Sequence, residues 1–238
     1  MKIVVITDVH ANLPALQAAL ESIRTEGYDL IFHTGDAIGA GPHPAECLAL
    51  LLDAPNLQFV MGNHEAYLVD GLPMPQPDWM SDGEVEHHLW THACLDVQIR
   101  SVIAKWPYVL EYEFESVKTT FVHYGLAPSG REFQSISRRA TAADWDAMFT
   151  AHDTSLIFYG HDHRASDVEG RARYVNPGSL GCYRQAVARY CVAEFQRGQC
   201  SVTHHVVPYD DTELRKAFEE RGVPDREFIY RAFFGERF

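Results

Sequence analysis

Basic residues are scarce in this 238-residue chain. Lys plus Arg number 20 against 33 Asp plus Glu, a net charge of −13 with histidine neutral. A field of that sign repels polyanions and disfavours a nucleic-acid polymer or an anionic membrane surface as partner. No C-x-x-C spacing occurs among the five cysteines, Cys47, Cys94, Cys182, Cys191 and Cys200. An odd, scattered set suits a reducing compartment better than a disulfide framework. The even spacing from Cys182 to Cys200 reads as isolated buried thiols in strands. No apolar run approaches membrane-spanning length, and no charged start leads into an apolar leader core. The expectation is a soluble, cytoplasmic protein. Internal repeats and low-complexity stretches are also missing, and with 46% hydrophobic residues a largely disordered chain is excluded.

What is abundant is histidine, 13 residues in all. Five short polar clusters each follow an apolar, β-branched or aromatic run: Asp8-Val9-His10, Gly35-Asp36, Gly62-Asn63-His64-Glu65, His123-Tyr124-Gly125 and Gly160-His161-Asp162-His163. The runs before them have a strand's length and composition, and the first and last are nearly continuous apolar stretches, as in strands buried on both faces. Ligands of open α/β sheets bind beyond the carboxyl ends of strands, so five such clusters can converge on one site. Carboxylates, imidazoles and one carboxamide are metal-ligand chemistry, with no cysteine among them.

Elsewhere the pattern places helices at about 13–25 and 44–52, Asn12 serving as N-cap and Pro14 in the first turn of the former. Strand, helix, strand, helix, strand signals parallel crossovers. Residues 66–107 break the rhythm: a Pro-rich loop at 71–77, then helical periodicity from about 83 to 105. This excursion is expected to overhang the site within a single domain spanning 1–238. From Tyr108 onward strands dominate, with a helix at about 141–149 and a hairpin turn at Gln196–Gln199. A helix near 211–221 has a capping box at Thr212 spoiled by Arg215. The aromatic tail, about 208–238, must pack on the body or on a second copy, so a homo-oligomer is allowed.

Taken singly the clusters are ambiguous. Asp8 and His10 can aim at one ion or be a turn aspartate and a surface histidine. Gly35-Asp36 can present an aspartate whose two oxygens bridge two cations, or form an ordinary turn. Asn63 can be a ligand, a helix cap or both. His123 can be a ligand or a satisfied core residue. His161 and His163 can hold two neighbouring ions, with Asp162 orienting them from behind.

Their order and placement together closely resemble the calcineurin-like metallophosphoesterases, whose pattern runs D-x-H, G-D, G-N-H-[DE], H, G-H-x-H. The match runs from Asp8 to His163. Asn176-Pro177-Gly178-Ser179 and the Gly39-Ala40-Gly41-Pro42 loop resemble the compact bacterial and archaeal branch. Tyr124 departs from the commoner His-Gly pair and is expected to shape the pocket.

The resemblance implies an α/β fold, a four-layer αββα sandwich of two mixed β-sheets flanked by helices. It implies that Asp8, His10 and His163 hold one ion, that Asn63, His123 and His161 hold a second, and that Asp36 bridges them. His64 would be the general acid at the leaving group. The implied chemistry is hydrolysis of small phosphodiesters or phosphomonoesters, through attack by a hydroxide bridging two ions about 3.5–4 Å apart. The ions would be transition metals, foremost Mn²⁺, with Fe, Zn²⁺, Ni²⁺ or Co²⁺ as alternatives. A dinucleoside polyphosphate hydrolase is the alternative reading, and a non-catalytic interaction scaffold of the same fold a rival of a different class.

Overall fold

The computed structural model describes residues 1–137 and 139–235. Its first part alternates β1 (Lys2–Ile6), α1 (Leu13–Glu26), β2 (Leu30–His33), α2 (Pro44–Asp53) and β3 (Leu57–Phe59). The three strands pair in parallel. α1 starts where expected because the Asn12 carboxamide accepts the Ala15 N–H at 3.1 Å and Pro14 needs no partner in a first turn.

The excursion contains three helices, α3 (Asn63–Asp70), α4 (Asp82–Ala93) and α5 (Val97–Ile103). The single helix expected from 83 to 105 is therefore broken. Asp96 breaks it: its side chain accepts the Gln98 N–H at 2.7 Å and caps a fresh helix start. Asn63 is the first helical residue and Gly62 the cap, one residue earlier than the cap reading of Asn63 supposed.

The second half supplies β4 (Val109–Phe114), β5 (Val117–Val122), α6 (Ala142–Met148), β6 (Leu156–Phe158), β7 (Ser166–Glu169), β8 (Arg173–Asn176), β9 (Val187–Gln196), β10 (Gln199–Pro208), α7 (Thr212–Glu220) and α8 (Arg226–Phe234). β7 has no counterpart in the sequence reading. Its Ser-Asp-Val-Glu carries one apolar residue, which suffices for an edge strand paired on one side only. α7 begins at Thr212 with Asp211 as cap residue and carries no capping box, and Arg215 reaches back to Asp211 at 3.5 Å.

Two five-stranded sheets result, ordered β10-β9-β1-β2-β3 and β4-β5-β6-β8-β7. Alternate residues of each strand face opposite ways, and this sorts the core into layers. Ile3, Val5 and Phe32 of the first sheet meet Phe121, Leu156 and Phe158 of the second. Phe32 stacks on Phe121 with ring centroids 3.7 Å apart. On the outer face of the first sheet, Val4 and Ile6 pack on Leu16, Ile23 and Leu48 of α1 and α2. On the outer face of the second, Ile157, Tyr159 and Tyr174 pack on Trp145 and Phe149. The order helix, sheet, sheet, helix is the expected four-layer sandwich.

The tail packs on the body of its own chain. Ile229, Tyr230 and Phe234 are buried with Leu214, Phe218, Val223, Ala40 and Cys182; Glu236, Arg237 and Phe238 lie outside the described residues. Removing residues 228–238 exposes that cluster. Each large apolar side chain is worth about 1.5–3 kcal/mol of burial. The truncated chain should therefore lose about 4 kcal/mol or more, read as a lower denaturation midpoint. An unchanged midpoint would show that the cluster does not hold the fold.

Candidate metal centre

The carboxyl ends of β1, β2, β3, β5 and β6 meet at one edge of the sandwich, and the five polar clusters sit there. Backbone hydrogen bonds knit the loops after β1 and β2 together: Asp8 N–H donates to Gly35 O at 3.0 Å, His10 N–H to Asp36 O at 3.0 Å and Ala11 N–H to Ala37 O at 2.9 Å. The two sheets are tied where the Asp8 carboxylate accepts the His161 N–H at 3.1 Å.

All seven expected ligand side chains converge. His10 Nε2 lies 2.9 Å from His163 Nε2 and 3.8 Å from Asp8 Oδ1, and His163 Nε2 lies 3.6 Å from Asp8 Oδ1. A second group surrounds His123 Nε2: Asn63 Oδ1 at 3.1 Å, His161 Nδ1 at 3.2 Å and Asp36 Oδ2 at 3.2 Å. Asp36 Oδ2 is also 3.9 Å from His10 Nε2, so it stands between the groups. Asp36 Oδ1 accepts the His64 N–H at 3.1 Å, and Oδ2 is the oxygen that faces both groups.

His123 shows what the arrangement favours. Its Nδ1–H donates to Thr34 O at 2.7 Å, which fixes the tautomer and turns the Nε2 lone pair toward Asn63 and Asp36. Burial pushes this imidazole down, but the Asp36 and Asp8 carboxylates overcome burial and raise it to about 9. Positive charge is what this spot stabilises. Burial raises Asp8 to about 7, with His123 opposing. Lone pairs of nitrogen and oxygen facing one another at these distances repel unless a cation or proton lies between them. The donor set is one that could hold transition-metal ions.

Five of the seven positions hold left-handed backbone: Asp8 (φ 52°), His10 (48°), Asp36 (60°), His161 (70°) and His163 (61°). Non-glycine residues seldom adopt such angles, and they concentrate where side-chain aim matters more than backbone comfort.

His64 is 16% exposed, its Nε2 3.9 Å from Asp36 Oδ2. It reaches nearer the ligands than expected of a residue pointing away, since His10, Asp36 and His64 could together grip an ion. Its Nδ1 is buried without a hydrogen-bond partner. Gly39 (φ 82°) gives it room: a Cβ there would stand 2.1 Å from Nδ1. Burial pushes the ring well below its ordinary value, Asp36 opposing and His88 adding to the fall.

Several participants had no role in the sequence reading. Glu65 is fully buried; Oε2 accepts the N–H groups of Asp36 (2.8 Å) and Gly62 (3.1 Å), and Oε1 those of Ala37 (2.9 Å) and Ile38 (3.2 Å). The Gly-x-x-Glu spacing at a helix start was the available signal. Arg189, also buried, donates to His163 O at 2.8 Å and lies 4.0 Å over the Tyr183 ring. Cys182 is not in a strand, as the thiol reading held, but in a loop beside His10 and His163, within ligating reach of both. The strand reading does hold for Cys191 and Cys200.

Asp162 braces its own loop, accepting from Asn176 Nδ2 at 2.6 Å and from the Arg164 N–H at 3.1 Å. Tyr124 is fully buried with its ring 4.9 Å from that of His161, so it backs this imidazole and does not line the hollow beside His64.

That hollow, about 100 Å³, opens between α3, α4 and α8. A larger cleft of about 590 Å³ lies at the opposite end of the sheets, between the β4–β5 and β9–β10 turns. Among the described residues no helix is long and apolar enough to cross a membrane.

Comparison with known proteins gives three findings. Residues 1–198 match the model of the calcineurin-like phosphoesterase superfamily domain. A bis(5′-nucleosyl)-tetraphosphatase of Coxiella burnetii is 31% identical over 201 residues, covering 80% of this chain but 64% of that enzyme, so the chain spans under two thirds of its length. Among solved structures, a metallophosphoesterase from Sphaerobacter thermophilus is 27% identical with a TM-score of 0.73 over 97% of both chains. A hypothetical protein from Pyrococcus horikoshii shares the fold at a TM-score of 0.82, 20% identity and 98% coverage of both.

Proposed function

The chain belongs to the calcineurin-like phosphoesterase superfamily and is a hydrolase of phosphoester bonds, and on that premise we propose that it cleaves small phosphodiesters at a two-ion centre. Asp8, His10 and His163 would hold one ion and Asn63, His123 and His161 the other, with Asp36 Oδ2 shared. The observation that carries this is the convergence of their donor atoms, with His123 locked by Thr34 so that its free nitrogen faces Asp36. Ions of the Mn²⁺, Fe or Zn²⁺ class would supply Lewis-acid activation of water and of the phosphoryl oxygens.

The chain's own groups then have defined tasks. Glu65 holds the Asp36 loop by three amides and the turn at Gly62 by a fourth, and Asp36 Oδ1 in turn fixes the start of α3 through the His64 N–H. His64 faces the hollow from the edge of the centre and is the proton donor to the leaving oxygen. Burial keeps the resting ring neutral; the negative charge of an arriving phosphate favours its protonated form. Hydrolysis of a dinucleoside polyphosphate is a second reading, favoured by the Coxiella relatives.

The test of the donor role compares His64→Ala on two diesters. General-acid help is worth about 10²–10⁴-fold, so an alkyl ester should lose about that much. A nitrophenyl ester, whose leaving group departs unaided, should lose less than about tenfold. Both ions should remain by elemental analysis. Equal losses on the two esters would make His64 a stabiliser of phosphoryl charge, and loss of an ion would make it a ligand.

A further inference from the structure

α8 lies beyond the segment that matches the family model, which ends at residue 198. It nevertheless reaches the centre. The Phe233 ring stands 5.9 Å from His10 and 5.5 Å from His163. The same helix walls the hollow that begins at His64, facing α3 and α4 across it. The leaving group must depart past His64, so the hollow is where its body would lie.

The lining has a definite chemical character. Tyr67, Trp79, Phe228 and Phe233 give it flat apolar faces, and Glu84 and Asp225 give it two carboxylates. No lysine or arginine is among the described lining residues. Trp79 is 64% exposed and Phe228 41%, large rings left at the rim. Burial raises the Asp225 carboxyl and Glu84 raises it further, with Arg231 opposing. Asp225 also holds a left-handed backbone (φ 56°) as the residue before α8, an unfavourable angle kept at the edge of a pocket.

We propose that this hollow is the leaving-group pocket and that it selects a planar, uncharged alcohol, such as a nucleoside or an aryl group, carrying no further phosphate. The proposal rests on the phosphodiesterase reading above. Flat rings stack on Tyr67 and Trp79, and amino groups of a base can donate to Glu84 or Asp225. A hollow of about 100 Å³ is small, so a ring would lie partly across its exposed rim, where Trp79 and Phe228 stand. A polyphosphate leaving group would instead bring several negative charges toward two carboxylates, with three imidazoles but no lysine or arginine among the described lining residues to receive them. The substrate of the tetraphosphatase relatives thus does not suit this pocket, which is built in part by a helix outside the matched segment.

The experiment uses the full chain loaded with Mn²⁺ and three probes: bis(4-nitrophenyl) phosphate, diadenosine tetraphosphate and free adenosine. Wild type should have kcat/KM at least about 100-fold higher on the diester than on the tetraphosphate. Stacking on an aromatic side chain is worth about tenfold or more in binding, so Trp79→Ala should raise KM for the diester about tenfold with kcat little changed. Adenosine should quench tryptophan fluorescence saturably, and Trp79→Ala should abolish the effect. The double variant E84Q/D225N should narrow the gap between diester and tetraphosphate. The proposal falls if the tetraphosphate is cleaved as well as the diester, or if Trp79→Ala changes neither KM nor quenching. If adenosine binds at Trp79 while no phosphate ester is cleaved, the pocket stands and the phosphodiesterase reading fails.

Discussion

Glu65→Ala is expected to destabilise the protein by about 3–5 kcal/mol and to reduce hydrolysis by about 10²-fold or more. The buried carboxylate gathers four backbone amides, two on each oxygen. Its removal leaves those donors without partners in a place water reaches poorly, and each such group costs about 1–3 kcal/mol. The amides belong to Asp36, Ala37, Ile38 and Gly62, so the loop that aims Asp36 loses its anchor. A shift near 1 Å in a reacting group is enough for the rate loss. Glu65→Gln should fall between the two, because a carboxamide oxygen can serve one pair of amides while its NH₂ faces the other pair as donor against donor. Denaturant titration of the three proteins checks the order. A Glu65→Ala protein as stable as wild type would mean that the amides find other partners.

Asp36→Asn should cost still more activity, about 10³-fold or beyond, while leaving the fold intact. The shared Oδ2 lies within 3.2–3.9 Å of His123, His10 and His64. A carboxamide removes the negative charge that lies between the two groups of side chains and that the proposed ions would share. Asparagine tolerates left-handed backbone as aspartate does, so φ 60° at this position is retained. The expected result is a normal denaturation midpoint for the metal-free protein and a fall from two ions per chain to one or fewer by elemental analysis. Two ions retained by the variant would contradict a shared Asp36, and unfolding would show that the carboxylate serves the fold as well as the site.

The donors of the centre were legible because they are polar residues interrupting apolar, β-branched runs at strand ends, a local contrast visible without any structure. Most of the strands followed from the same runs, and their division into two sheets from the resemblance that the clusters carry. Other features depend on partners far along the chain. Glu65 reaches amides up to 29 residues away, and Arg189 finds a carbonyl 26 residues distant; no periodicity marks either contact. β7 escaped because an edge strand needs only one paired side, and the break before α5 because Asp96 interrupts an otherwise continuous apolar period. The hollow beside His64 draws Trp79, Glu84 and Phe233 from separate helices and loops. Only their meeting gives them a shared role. The tail was expected to be buried, but not that its aromatic side would face the ligands.

The left-handed backbone at five of the seven converging positions has a consequence for the history of such a chain. Each of those conformations costs an ordinary residue about 1–2 kcal/mol relative to glycine. Glycine at any of them would relieve backbone strain, and the cost to the chain would be its chemistry. Natural proteins sit near a threshold of stability, where a gain of that size offsets a damaging substitution elsewhere. A lineage released from the need to hydrolyse anything would thus find the same sandwich easier to keep than to lose. Decay of the centre and persistence of the fold run in the same direction, so descent into an inert binding platform is thermodynamically downhill for this architecture.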